Sequence, residues 1–144
     1  MDTLRISGAV EPDGRREWTH ADLFAAAPDA RVEDIGALVP GRRGSGVRLD
    51  WIVEGSRPSD GAKWVVLESA DGGFTACRAL DELASAILVH ADGDRPFTET
   101  DGGPFRLYVP DAGDRCGNVK HLARIGFRTA PVEDSRPPVE QRDC

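Results

Sequence analysis

Two short segments of the 144-residue sequence gather side chains of the kinds that bind charged ligands. The first is Gly41-Arg42-Arg43-Gly44-Ser45-Gly46. Its glycines permit backbone turns in which neighbouring N–H groups converge on one anion, and two guanidiniums can clamp a phosphate. An exposed connecting loop that carries arginines for solubility would leave the same pattern. The second is Asp114-Arg115-Cys116-Gly117-Asn118-Val119-Lys120, which sets a thiol, an amide and an ammonium close together. It fits the rim of a polar ligand site and fits a turn equally well.

Other arrangements that carry chemistry are scarce. There is no G-x-S-x-G elbow, Walker loop, H-E-x-x-H or EF-hand pattern. His20, His90 and His121 lie far apart in the chain and read as surface or strand residues rather than ligands. The 25 acidic residues are too scattered for any pair to stand out and read as a solvated face. The three cysteines, Cys77, Cys116 and Cys144, form no CxxC pair, which argues against structural zinc or a disulfide-stapled fold. A cytoplasmic, reducing compartment is expected. Sixteen arginines against two lysines, Lys63 and Lys120, follow most simply from genomic base composition, yet they single out each lysine.

The elements that must position these groups are mostly strands. Leu4 to Val10 alternates apolar and polar residues, and Pro12-Asp13-Gly14 reads as a turn. Thr19 and Asp22 have the spacing of a capping box, opening a short helix that runs through Leu23, Phe24 and Ala27 and stops at Pro28. A strand is expected over Arg31 to Val39, then the glycine-rich loop, then a helix over Val47 to Glu54 ended by Gly55. Lys63 to Ser69 is the clearest strand, with Asp71-Gly72-Gly73 turning it into a partner over Phe74 to Arg78. A helical turn at Leu80 to Ala84 and strands at Ala86 to His90, Phe105 to Pro110 and within Val119 to Arg128 complete the pattern. The expected architecture is α+β, mixed β-sheets with two or three short helices, in one domain over residues 1–128. Prolines among charges from Thr129 onward point to a mobile tail over 129–144.

Composition bounds the partners. A formal charge of −7 and a pI near 4.9 disfavour binding to phosphate backbones. No apolar run approaches the roughly 20 residues of a membrane span, and Met1 to Arg5 lacks the layout of a signal peptide. Anionic small molecules and protein partners remain.

The order of segments resembles the molybdopterin-binding domain of the sulfite oxidase family. Leu4 to Val10, Thr19-His20-Ala21-Asp22-Leu23 and Gly46-Val47-Arg48-Leu49 resemble its start. Ser69-Ala70-Asp71-Gly72-Gly73-Phe74 is similar to its S-x-D-G-(Y/F) hairpin, and Gly102 to Pro110 to its G-G-P-x-R-L-x-V-P strand. Asn118 to Ile125 is similar to its x-V-K-W-(L/V)-x-x-I ending. The resemblance spans roughly residues 4–128 and implies a fold of mixed sheets with short helices. It also implies a cofactor in which a pterin dithiolene holds molybdenum and basic side chains hold the pterin phosphate. Lys120 and Asn118 then face that cofactor, Arg42 and Arg43 lie where the enzymes carry their metal-binding segment, and Arg106 matches a motif residue. On an alternating strand, Arg106 pairing with an acidic neighbour is the other reading.

One departure bears on activity. Catalytic members ligate molybdenum through a cysteine between the second strand and the Gly-Val pair, and no cysteine occurs from Ala30 to Asp50. Ser45 is a poor substitute for a soft thiolate, which leaves Cys116 as the alternative donor. The chain is also expected to lack the dimerisation and haem domains of sulfite oxidases, so that an electron acceptor would be a separate protein. The expected protein is a molybdopterin-binding-type domain that is not catalytically competent alone, binding molybdopterin with or without molybdenum. The competing expectation is a degenerate small-ligand or protein-binding module that has lost the cofactor.

Overall fold

Alternating burial along short strands builds two sheets. The computed structural model describes residues 3–70, 72–110 and 119–132. The first sheet comprises β1 (Thr3–Gly8), β2 (Glu17–Thr19), β5 (Trp64–Ser69), β6 (Thr75–Ala79) and β10 (Leu122–Arg128), in the order β2-β1-β10-β5-β6. The second comprises β3 (Arg31–Val32), β4 (Ser45–Arg48), β7 (Ile87–Asp92), β8 (Arg95–Pro96) and β9 (Arg106–Tyr108). There β3 and β4 lie on one side of β7, while β8 and β9 pair with it as well. Every pairing is antiparallel except β1 with β10, where Ile6 lies beside Ile125. Two short helices, α1 (His20–Phe24) and α2 (Leu49–Ser56), complete the α+β architecture expected from the sequence.

The core lies where the sheets face each other. Leu4, Leu67, Phe127, Val47, Leu88 and Leu107 are fully buried in one cluster, the chief source of stability in a domain of this size. A smaller cluster of Ile35, Ile87, Val89, Phe97 and Tyr108 packs beneath the loop that follows β3.

The capping box forms as expected. The Thr19 hydroxyl accepts from the Asp22 N–H at 3.2 Å, and the Asp22 carboxylate accepts from the Thr19 N–H at 2.8 Å. The helix ends at Phe24 rather than reaching Ala27, because Arg31 donates from Nε to the Ala26 carbonyl (2.8 Å) and from Nη2 to that of Phe24 (3.3 Å).

Other expectations are corrected as well. The strand over Arg31–Val39 stops at Val32. The Asp34 carboxylate accepts from the Gly36 N–H at 2.8 Å, and the chain turns into a 3₁₀ segment that buries Ile35. The helix over Val47–Glu54 begins only at Leu49, since Val47 is paired with Leu88 in β4. Gly46 must sit there because a Cβ would run into the Leu88 carbonyl. Gly55 does not end α2; the helix passes through it to Ser56 and closes on Arg57 in the left-handed region (φ 53°).

Beyond β10 the chain is described to Val132, whose N–H points at Cys77 Sγ, 3.4 Å away. The remainder of the expected tail, from Glu133, lies outside the described residues.

Candidate functional site: a cavity at the Gly-Gly-Pro loop

The site is built around the turn into β9. Thr98 and Asp101 form a second capping box, and Gly102 (φ 93°) swings the chain into Gly103 and a cis Pro104. Gly102 lets Arg106 fold back: a Cβ there would lie 3.0 Å from Arg106 Nη1 and 3.1 Å from Cδ. The Arg106 guanidinium lies 4.9 Å from the Tyr108 ring centre and donates from Nη1 to the Asp101 carbonyl at 3.3 Å. It does not take the acidic side chain that β9's alternation allowed for, because the Asp101 carboxylate is engaged by Thr98 and Arg95. Its Nε is buried and has no hydrogen-bond partner among the described residues. Burial lowers the Arg106 pKa; Tyr108 acts in the opposite sense, and the Arg42 guanidinium reinforces the lowering. Arg42 and Arg106 therefore feel each other across the loop, and a like-charged pair with an unspent N–H is a setting that favours an anion.

A second chain segment closes the turn. Leu107 and Val119 exchange both backbone hydrogen bonds, at 2.8 and 3.0 Å, so Arg106 and Lys120 flank one bridge. The ladder then slips by one residue, since Leu122 rather than His121 donates to the Phe105 carbonyl. His121 absorbs the slip in the left-handed region (φ 55°). Its backbone N–H donates to the Gly102 carbonyl at 2.7 Å, and its ring Nδ1 lies 2.7 Å from the Gly103 carbonyl oxygen. Ala70, Phe97, Thr98, Glu99, Gly103, Pro104 and His121 line a cavity of about 410 Å³ beside this turn, within the range of small-molecule sites.

The expected site residues divide. Arg42 acts electrostatically on Arg106, and Lys120 is exposed and follows Val119, which bridges to Leu107 next to Arg106. Arg43 is drawn elsewhere, to Asp92 at 2.6 Å, where Arg95 also approaches within 3.6 Å. Asn118 and Cys116 lie outside the described residues. Among the described residues no group of three His, Cys, Asp or Glu is arranged to hold a metal.

Histidine is where sequence reasoning fell short. His121, read as a surface or strand residue, ties the Gly102-Gly103 turn in place. The V-K-x-L spacing marked its position, but nothing in it signalled the turn that makes the bond. His20 and His90 meet with ring centres 5.6 Å apart, His20 stacked on Phe105 and His90 edge-on to Phe24. His90 is 3% exposed, and burial, reinforced by His20, pushes its pKa down to about 4. It lines a smaller pocket of about 100 Å³ with Phe24, Arg31, Glu33 and Ser45.

One mixed and one antiparallel sheet, with a cavity at a Gly-Gly-Pro turn, set the frame for the comparison with known proteins. The chain belongs to the oxidoreductase molybdopterin binding domain family, whose model matches residues 36–135. No curated protein matches it in sequence. Among solved structures, the sulfane dehydrogenase SoxCD from Paracoccus pantotrophus is similar, at 18% identity and a TM-score of 0.67. The likeness covers 91% of this chain and 39% of that one, and at such identity it is a likeness of fold. Both findings agree with the motif resemblance to the sulfite oxidase family. No described helix is long and apolar enough to cross a membrane.

Proposed function

We propose that this chain binds a molybdopterin-type cofactor, its phosphate held by Arg106, Arg42 and Lys120 and its pterin seated in the Gly103-Pro104 cavity. The observation that carries the reading is the buried Nε of Arg106, left without a hydrogen-bond partner among the described residues while the Arg42 guanidinium acts on the same side chain. An anion satisfies that N–H and offsets the repulsion between the two guanidiniums at once. Arg43 is a peripheral contributor because Asp92 already neutralises it. When bound, the cofactor supplies a redox-active molybdenum; the chain's own contribution is to hold the pterin and its phosphate.

The metal end fits less well. Residues 30–50 contain no thiol, and Cys77 lies on β6, where it accepts from Val132. We therefore read the chain as not catalytically competent alone. Its electron acceptor would be a separate protein, and its compartment the cytoplasm. The missing thiol equally favours a second reading, a degenerate module that keeps the pocket for another small anion or for a protein.

Protein purified from a molybdenum-replete host tests both. Bound oxidised-pterin fluorescence near one equivalent per chain is expected, and Arg106→Met should lower it at least tenfold while the thermal midpoint stays high. Neither pterin nor metal in the wild-type chain would sink cofactor binding and leave the second reading. Pterin without molybdenum would support the binding role and the lack of competence together. Full molybdenum in a Cys116→Ser protein would remove Cys116 as the alternative ligand.

A further inference from the structure

We infer that His121 selects what enters the cavity, its Nε2 accepting a hydrogen bond from an N–H group of a flat, donor-rich heterocycle. The inference rests on the cofactor-binding reading and says which atom of this chain discriminates among rings. A carbonyl oxygen can only accept, so the 2.7 Å contact with Gly103 requires the proton on Nδ1. In the neutral imidazole that leaves Nε2 with a lone pair and no proton, the only hydrogen-bonding atom the ring has left. The ring is held in place: its own backbone N–H is tied to Gly102, and a left-handed φ of 55° is tolerated only where the surroundings insist on it.

The rest of the lining points the same way. The backbone N–H groups of Ala70, Phe97, Thr98, Gly103 and His121 are all spent within the protein, on His121 O, His90 O, the Asp101 carboxylate, Thr98 O and Gly102 O. Pro104 has none. The Thr98 hydroxyl donates to the Asp101 carboxylate at 3.0 Å, and the remaining polar side chain, Glu99, carries an acceptor carboxylate. Apart from the Glu99 N–H at the start of its 3₁₀ turn, the wall thus offers acceptors, with the apolar faces of Phe97 and Pro104 between them. A guest must bring the donors. A ring bearing amide and amino N–H groups, linked to an anionic tail that reaches Arg106, satisfies both ends. A ring with its nitrogens alkylated leaves His121 and Glu99 desolvated and unpaired, and that asymmetry is what makes a polar pocket selective.

Lumazine and 1,3-dimethyllumazine, nearly the same shape with and without N–H donors, provide the test. Fluorescence titration of the cofactor-free full chain should show lumazine binding at least tenfold tighter. His121→Phe should shrink that ratio to within twofold, and His121→Gln, which keeps an acceptor, should restore part of it. Inorganic phosphate affinity should change less than twofold in both variants. Equal binding of the two lumazines by the wild-type chain overturns the inference, as does a ratio unchanged in His121→Phe. A wild-type chain that binds phosphate but neither lumazine refutes the inference and leaves the anion site standing. One that binds neither phosphate nor lumazine refutes the cofactor reading itself.

Discussion

His90 is a residue whose charge state the fold dictates. In the unfolded chain its imidazole takes a proton near pH 6.5, and in the folded protein only at about 4, because burial disfavours the cation and His20 lies beside it. The sign follows: the unfolded chain binds the extra proton first, so the stability His90 contributes is complete above pH 6.5. It is lost as pH falls from there through the folded value. Over the whole window the loss approaches about 3 kcal/mol as an upper bound. Urea midpoints measured from pH 7 to pH 4 should decline, and His90→Phe should flatten the decline; an equal slope in that variant would place the titration elsewhere. Little of this was visible in the sequence. His20 and His90 are separated by most of the second sheet in the chain, and only the docking of α1 over β7 brings the rings together. Arg106 was the opposite case. The G-G-P-x-R run marked it, although whether it would turn to a carboxylate or to the Asp101 backbone carbonyl was decided by Thr98 and Arg95, which occupy the Asp101 carboxylate.

At the scale of elements, local signals succeeded where one residue's chemistry decided the outcome. The capping box at Thr19 is the clearest instance. Thr19→Ala should cost about 1 kcal/mol, read as a lower urea midpoint at unchanged slope, and Thr19→Asn should recover most of it. Gly55 shows why other signals misled. A glycine after a run of helical spacing reads as a stop, yet here it makes room for an aromatic ring: an added Cβ would lie 2.7 Å from Cη2 of Trp18. That ring is pinned by its Nε1–H donating to Ser56 Oγ at 3.3 Å and by Trp51, 5.1 Å away centre to centre. Gly55→Ala should therefore destabilise by about 1–3 kcal/mol, although alanine is the better helix former by about 1 kcal/mol. A neutral or stabilised variant would show that Trp18 can retreat. The lost half of the strand after Arg31 has a similar cause. Its apolar residues, Ile35 and Val39, do serve a core, but the small one beneath the loop, reached through a turn that Asp34 nucleates.

For the whole molecule, the resemblance read from scattered motifs extended to the right fold because those motifs lie at turns and sheet contacts that the topology needs. Pairing between strands was not legible. Alternation says that a residue faces the core and says nothing of which strand lies beside it, and the parallel union of β1 with β10 left no local trace. Hydrogen exchange should rank this seam among the slowest amides, with β1, β10 and β5 protected well beyond β3 and β8, which are two residues each. Fast exchange in β10 would contradict its central place.

That place has a consequence for how the protein is made. β10 lies between β1 and β5, so until its residues leave the ribosome the first sheet is two unjoined halves. Each half then presents a bare strand edge to its crowded surroundings, an invitation to wrong partners. Success in synthesis thus depends on how quickly the last strand arrives, and a slow codon or a stall just before Leu122 should lower the yield of folded chain more than one placed after Arg128.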